Sequence, residues 1–191
     1  TGDSDGARDN GNPEPGSYYE HAFEVMSAAA REDPDFFLFN GDTIYADSDP
    51  AKDNGLPYAS TLPEYWNLYK INRNSSSHQQ LLHATSTYAI WDDHEIRDNW
   101  NQYPPDNTVI ANGVKAFHDY FPTMVSLNAS STADTFTTQG NIAPRSLKSA
   151  SCVQEPLYRT FKWGKDIEIF FLDERSCRTQ ETEVSRACAI G

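Results

Sequence analysis

Phe36-Phe37-Leu38-Phe39-Asn40-Gly41-Asp42-Thr43-Ile44-Tyr45 runs from an unbroken apolar block into a glycine, a carboxylate and a phenol. Asp33-Pro34-Asp35 precedes the block and stops any helix before it. A short apolar run bounded in this way predicts a strand buried on both faces, as in a sheet covered by helices. Gly41 permits a sharp turn and a close approach of backbone to an ion. Asp42 is thus expected at the tip of the strand. The pattern recurs at Thr87-Tyr88-Ala89-Ile90-Trp91, which ends in Asp92-Asp93-His94-Glu95. In layered α/β domains, ligands gather beyond the carboxyl ends of the strands. Both acidic motifs stand at such an end.

Working outward, residues 1–16 are rich in Gly, Asp, Asn and Pro and read as a loop. Ser17 and Glu20 have the spacing of a capping box, and Ala22, Phe23, Met26 and Ala30 then recur at helical spacing. Residues 48–60 read as a loop, Leu62–Ile71 and Gln79–Ala84 as helices, and 111–121 as a short helix. The Ser, Thr and Asn of residues 126–150 predict a surface loop. Leu157–Trp163, a turn at Gly164-Lys165-Asp166, and Ile167–Leu172 predict a β-hairpin. No repeat and no dividing linker is visible, so residues 1–191 read as one α/β unit.

The chain has 15 Lys and Arg against 28 Asp and Glu, a formal net charge of −13. A field of that sign repels long nucleic acid and anionic lipid. A small phosphate ester remains a suitable ligand where local cations offset local carboxylates. No run approaches the roughly 18 apolar residues of a membrane span. The chain opens on the polar run Thr1-Gly2-Asp3-Ser4-Asp5-Gly6, so a leader is expected to have been removed or to lie outside this sequence. Sequons at Asn74-Ser75-Ser76 and Asn128-Ala129-Ser130 fit a secreted surface. Cys177 and Cys188 are spaced for a short disulfide loop, with three reduced thiols as the alternative; Cys152 would then seek a partner elsewhere.

The residues with chemistry sit at the strand tips. A carboxylate such as Asp42 can bridge two cations. Tyr45, three residues on, is near enough to reach the same ion, which would depress the phenol's pKa. The plainer alternative is a turn capped by Asp42, with Tyr45 packed inside. Four consecutive ionisable side chains at 92–95 are hard to explain by packing, because burying like charges costs several kcal/mol each unless cations or donors offset them. A solvated acidic loop is the alternative. His94, beside two carboxylates, is placed as a proton donor. Asp3 and Asp5 lie in a Gly-flanked loop suited to the end of an earlier strand. Arg175 and Arg178 follow the last predicted strand, where a guanidinium can hold phosphate oxygens or pair with an acid.

Gly41-Asp42-Thr43-Ile44-Tyr45, Trp91-Asp92-Asp93-His94-Glu95 with Asn99-Trp100, Tyr158-Arg159-Thr160-Phe161-Lys162-Trp163-Gly164 and Leu172-Asp173-Glu174-Arg175-Ser176 occur in the order found in the alkaline phosphatase D-like (PhoD-like) family. Over residues 33–178 or so the chain resembles that family. The resemblance implies a calcineurin-like metallophosphoesterase of two facing mixed β-sheets flanked by helices. It implies export, dependence on Ca2+, and Fe3+ at the tyrosine-bearing site. Carried over, Asp42 bridges the metals, Tyr45 ligates iron, Asp93 holds the second metal and His94 is the acid near the leaving group. Where the family often has Ser-Cys, Asp3 stands here, a hard carboxylate in place of a soft thiolate. Asn99 and Arg175 take the positions of substrate contacts. The family's later Gly-Asp-x-His segment does not occur before Gly191, so the resemblance is to the front half of a catalytic domain. The remaining C-terminal part is the expected partner.

The expected reaction is hydrolysis of a phosphate mono- or diester by a metal-held hydroxide. Two rivals are a non-catalytic extracellular calcium-binding or structural protein on the same fold, and a different metallohydrolase such as a nuclease.

Overall fold

The computed structural model describes residues 24–47, 58–100, 107–121, 123, 157–176 and 178. The predicted helix start at Ser17, the residues Asp3, Asp5, Cys152, Cys177, Cys188 and Asn128, and the 126–150 loop lie outside those residues. The described residues divide into two compact units: 24–99 with 107–123, and Trp100 with 157–178.

In the first unit, helix α1 (Glu24–Arg31) leads into strand β1 (Phe36–Asn40). Helices α2 (Leu62–Asn74) and α3 (Ser76–Ala84) cross over to strand β2 (Ser86–Ile90), and helix α4 (Asn107–Tyr120) follows. β1 and β2 pair in parallel, from Phe36 opposite Ser86 to Asn40 opposite Ile90. A parallel pair requires such a crossover, and helices supply it. The in-register pairing ends both strands side by side. The loops after Asn40 and Ile90 therefore start from neighbouring points.

Sequence spacing explains the helices. Tyr65, Leu68, Tyr69 and Asn72 are the buried residues of α2, one stripe at helical period. Its start is fixed by Glu64, whose Oε2 accepts the N–H groups of Ser60 (2.9 Å) and Thr61 (2.8 Å). Ser75 ends α2 and begins α3: its N–H donates to the Asn72 carbonyl, and its Oγ accepts from the His78 N–H. That cap explains why α3 starts at Ser76, three residues before the predicted Gln79. α4 likewise begins at Asn107 instead of residue 111, because Val109 and Ile110 are already buried with Gly113, Ala116 and Phe117.

The core of this unit is aromatic. Phe39 lies 5.7 Å from Phe121 and 5.8 Å from His78, and Phe117 joins Phe121 to Trp91. The Arg73 guanidinium covers the Phe121 ring at 4.6 Å. Phe39 is fully buried, but Phe36, Phe37 and Leu38 are only half-buried. The expected burial of β1 on both faces is thus met only at Phe39, since among the described residues β1 and β2 have only each other as strand neighbours.

The second unit is a hairpin, β3 (Arg159–Trp163) against β4 (Ile167–Phe171), antiparallel and turning at 164–166 as predicted. Arg159 lies over the Phe171 ring at 4.6 Å. Asp173 closes its base. Its carboxylate accepts the Leu157, Arg175 and Ser176 N–H groups and the Ser176 hydroxyl, at 2.6–3.0 Å.

Gly41 determines how closely the two strand-tip loops approach. Its φ is 94°, and an added Cβ would lie 2.4 Å from Asp92 Cβ and 2.7 Å from Asp92 N. We expect Gly41→Ala to lower unfolding free energy by about 2 kcal/mol or more, through left-handed strain and overlap together. Denaturant melts of the two proteins measure this.

Candidate metal centre

Both strand tips contribute to one cluster. Beyond Gly41 the chain stays left-handed at Asp42, with φ 50°, which turns this buried side chain toward the loop after β2. Asp42, Asp93 and His94 each offer a ligand atom, and these atoms lie within 4.8 Å of one another. Asp42 Oδ1 accepts the His94 N–H at 3.2 Å. The Tyr45 hydroxyl makes a long contact of 3.5 Å to Asp42 Oδ2, so the phenol faces the same space. Asp93 is buried, and its Oδ2 accepts the Asn99 N–H at 2.7 Å.

Backbone and side-chain bonds lace the two loops together. The Ala46 N–H donates to the His94 carbonyl at 2.8 Å, and the Ala46 carbonyl accepts the Ala59 N–H at 2.8 Å. Arg97 reinforces that seam by donating to the Ile96, Ala46 and Ala59 carbonyls. The Glu95 carboxylate accepts the Thr43 N–H and hydroxyl, each at 2.7 Å, and the Asp92 N–H at 2.9 Å. From α2, the Asn72 side chain donates to the Thr43 carbonyl at 2.8 Å.

His94 is held on two sides. Its ring stacks on Tyr45, with centroids 4.2 Å apart and planes 22° apart. Its Nδ1 lies 2.7 Å from Asp47 Oδ1. A carboxylate accepts, so Nδ1 carries the proton and Nε2 is the nitrogen left to act. Asp47 Oδ2 in turn accepts the Asp98 N–H.

Electrostatics follow from crowding. Burial pushes Asp42 up to about 6, against the hydrogen bond from His94, with Asp93 and Asp92 adding to the rise. Burial alone would lower His94, but the hydrogen bond and charge of Asp47, with Asp93 and Asp42, raise it to about 9. Burial likewise raises Glu95 to about 7, despite its donors from Thr43 and Asp92. Asp47 moves the other way: burial opposes its ionisation, but the bond to His94 outweighs this and lowers its pKa.

This donor set fits a cation. Buried carboxylates that resist ionisation gain from an adjacent positive charge, and carboxylate and phenol oxygens are donors that hard cations take. Asp42, Tyr45, Asp93 and His94, which the sequence singles out, come together here. Asn99 reaches the cluster through its backbone N–H, at φ 55°, while its side-chain amide donates to Asp98 Oδ1. Arg175 lies buried in the second unit. Asn74 is the exposed last residue of α2. Sequence reasoning assigned no role to Asp47, Glu95, Asn72 or Arg97. Asp47 and Glu95 carried a signal, a carboxylate two residues beyond Tyr45 and the last acid of the 92–95 run; Asn72 and Arg97 are recognisable only from their long-range partners.

A family model for PhoD-like phosphatase matches residues 15–190. The chain is similar to a solved structure of PhoD, with a TM-score of 0.59 and 20% identity. That match covers 86% of this chain and 31% of the solved one, so this chain spans about a third of its length. At such identity the likeness speaks for the fold alone. No curated protein matches the chain.

The raised carboxyls and imidazole set the sign of a pH effect. Asp42 has a folded pKa above its unfolded value, so the stability tied to its proton is complete below about 4 and lost as pH rises through about 6. His94 acts in the same direction, losing its contribution between about 6.5 and 9. In chelator, the melting temperature should fall from pH 5 to pH 8 more steeply in the wild type than in Asp42→Asn. Thermal melts at fixed ionic strength check it; equal slopes would contradict it.

Proposed function

The chain belongs to the PhoD-like phosphatase family, and on that premise we propose that it carries the metal centre of a calcineurin-like metallophosphoesterase. The domain is proposed to consist of two mixed β-sheets flanked by helices. It hydrolyses small phosphate mono- or diesters, in the manner of alkaline phosphatases and phosphodiesterases. The observation that carries this reading is the convergence of Asp42, Asp93 and His94 within 4.8 Å at the tips of two parallel strands.

Asp42 is proposed to bridge Ca2+ and Fe3+, with Tyr45 on the iron, Asp93 on the second cation, and Asp3 a further ligand outside the described residues. Cations bound there would acidify a water molecule and offset charge on the phosphate oxygens. His94 protonates the leaving oxygen. The hydrogen bond to Asp47 favours its charged form, and Asp47 and the Tyr45 ring hold Nε2 in one direction. Asn99 and Arg175 are the proposed contacts to phosphate oxygens, Arg175 through its planar fork of donors. Among the described residues no helix is long and apolar enough to cross a membrane. We place the protein outside the cell, with Asn74, which is exposed, and Asn128, outside the described residues, as glycan sites and Cys177–Cys188 as a disulfide.

Two substitutions in the complete protein test the roles separately. Asp42→Asn should lose bound metal together with turnover of p-nitrophenyl phosphate and its bis-ester. Retained metal content and turnover would refute the centre. His94→Ala should keep its metal and lose about 10²–10⁴-fold in rate on alkyl esters, whose leaving groups need a proton. The loss should be much smaller on p-nitrophenyl esters. An equal loss on both would remove His94 from the acid role.

A further inference from the structure

We propose that Glu95 is a positioning residue that sets the separation of Asp42 and Asp93. This rests on the reading of those two as metal ligands. Glu95 is 1% exposed, and its carboxylate accepts three hydrogen bonds. Each donor is the immediate chain neighbour of a proposed ligand. Thr43 follows Asp42 and gives its N–H and hydroxyl to Oε1; Asp92 precedes Asp93 and gives its N–H to Oε2. Both donor residues belong to the strand-tip loops, outside the strands themselves. One carboxylate therefore spans the two loops with one oxygen each.

The clamp is itself braced. The Thr43 peptide is held at its other end by Asn72 Nδ2 from α2. Gly113 lets α4 approach the backbone of Glu95: a Cβ there would meet Ile96 Cγ1 at 2.9 Å and the Glu95 carbonyl oxygen at 3.0 Å. Among the described residues no Lys or Arg pairs with Glu95. A buried carboxyl without a paired cation is a costly choice for mere packing. The geometry explains it: both oxygens must accept, and only a carboxylate has two acceptors and no donor. Glutamine would set an amide N–H against the N–H of Asp92 or against the donors of Thr43, pushing one loop away.

The test uses the complete protein stripped with chelator, with Ca2+ titrated by calorimetry and melting temperature recorded in EDTA. Glu95→Gln should weaken Ca2+ binding by about 10–100-fold, the range for residues that hold a ligand in place. Affinity within twofold of wild type, even with a lowered melting temperature, would mean that Glu95 only supports the fold and would overturn the proposal. Should Glu95→Gln not fold, Thr43→Val removes one donor at nearly constant volume and should weaken Ca2+ about 5-fold; unchanged affinity there overturns it equally. Asp42→Asn separates the two readings. If it binds Ca2+ as wild type does, the ligand assignment is wrong and the positioning role falls with it. If it loses Ca2+ while Glu95→Gln keeps it, the positioning role alone falls.

Discussion

The parallel, in-register pairing of β1 with β2 is the constraint from which the rest follows. It ends two strands at the same level and so forces two acidic loops into one small volume. Asp42, Asp93, Glu95 and Asp47 are all at least partly buried there. Their mutual repulsion opposes folding, and the structure answers it with oriented backbone N–H groups. Those of Thr43, Asp92, His94, Asp98 and Asn99 each point at a carboxylate oxygen. Charge-assisted bonds of this kind are stronger than neutral ones, and they fix direction as well as energy. They do not fully stabilise the ionised form, as the raised pKa values of Asp42 and Glu95 show. The remaining deficit is what a cation would meet.

The outline of this arrangement was legible in the sequence because it is local. Phe36–Phe39 and Thr87–Trp91 announce strands by composition, and each is followed within three residues by an acid. The hairpin at 159–171 was legible for the same reason. Helix boundaries were less so. The start of α3 depends on Ser75 serving two helices, which no window centred on either one reveals. Among the described residues β1 is flanked by β2 alone, and an apolar run does not tell how many strands flank it.

Within the site, the limit was direction. Asp92-Asp93-His94-Glu95 offers four candidates in a row, and sequence alone cannot say which side chains turn inward. Asp93 and His94 face the cluster, while Glu95 reaches back to Thr43, 52 residues away. The partner of His94 was hidden in the same way: Asp47 is 47 residues distant in the chain yet 2.7 Å distant in space. Roles that depend on pairing across the crossover are invisible until the crossover is drawn.

Ser75 closes one helix and opens the next with no residue to spare. The path from β1 to β2 thus has a fixed gearing at its midpoint. One residue inserted at that joint would rotate α3 by about 100° about its axis. Leu81 and His78 would swing off the core, and β2 would no longer finish level with β1. Chain length at this single joint therefore matters to the alignment of the acids beyond it.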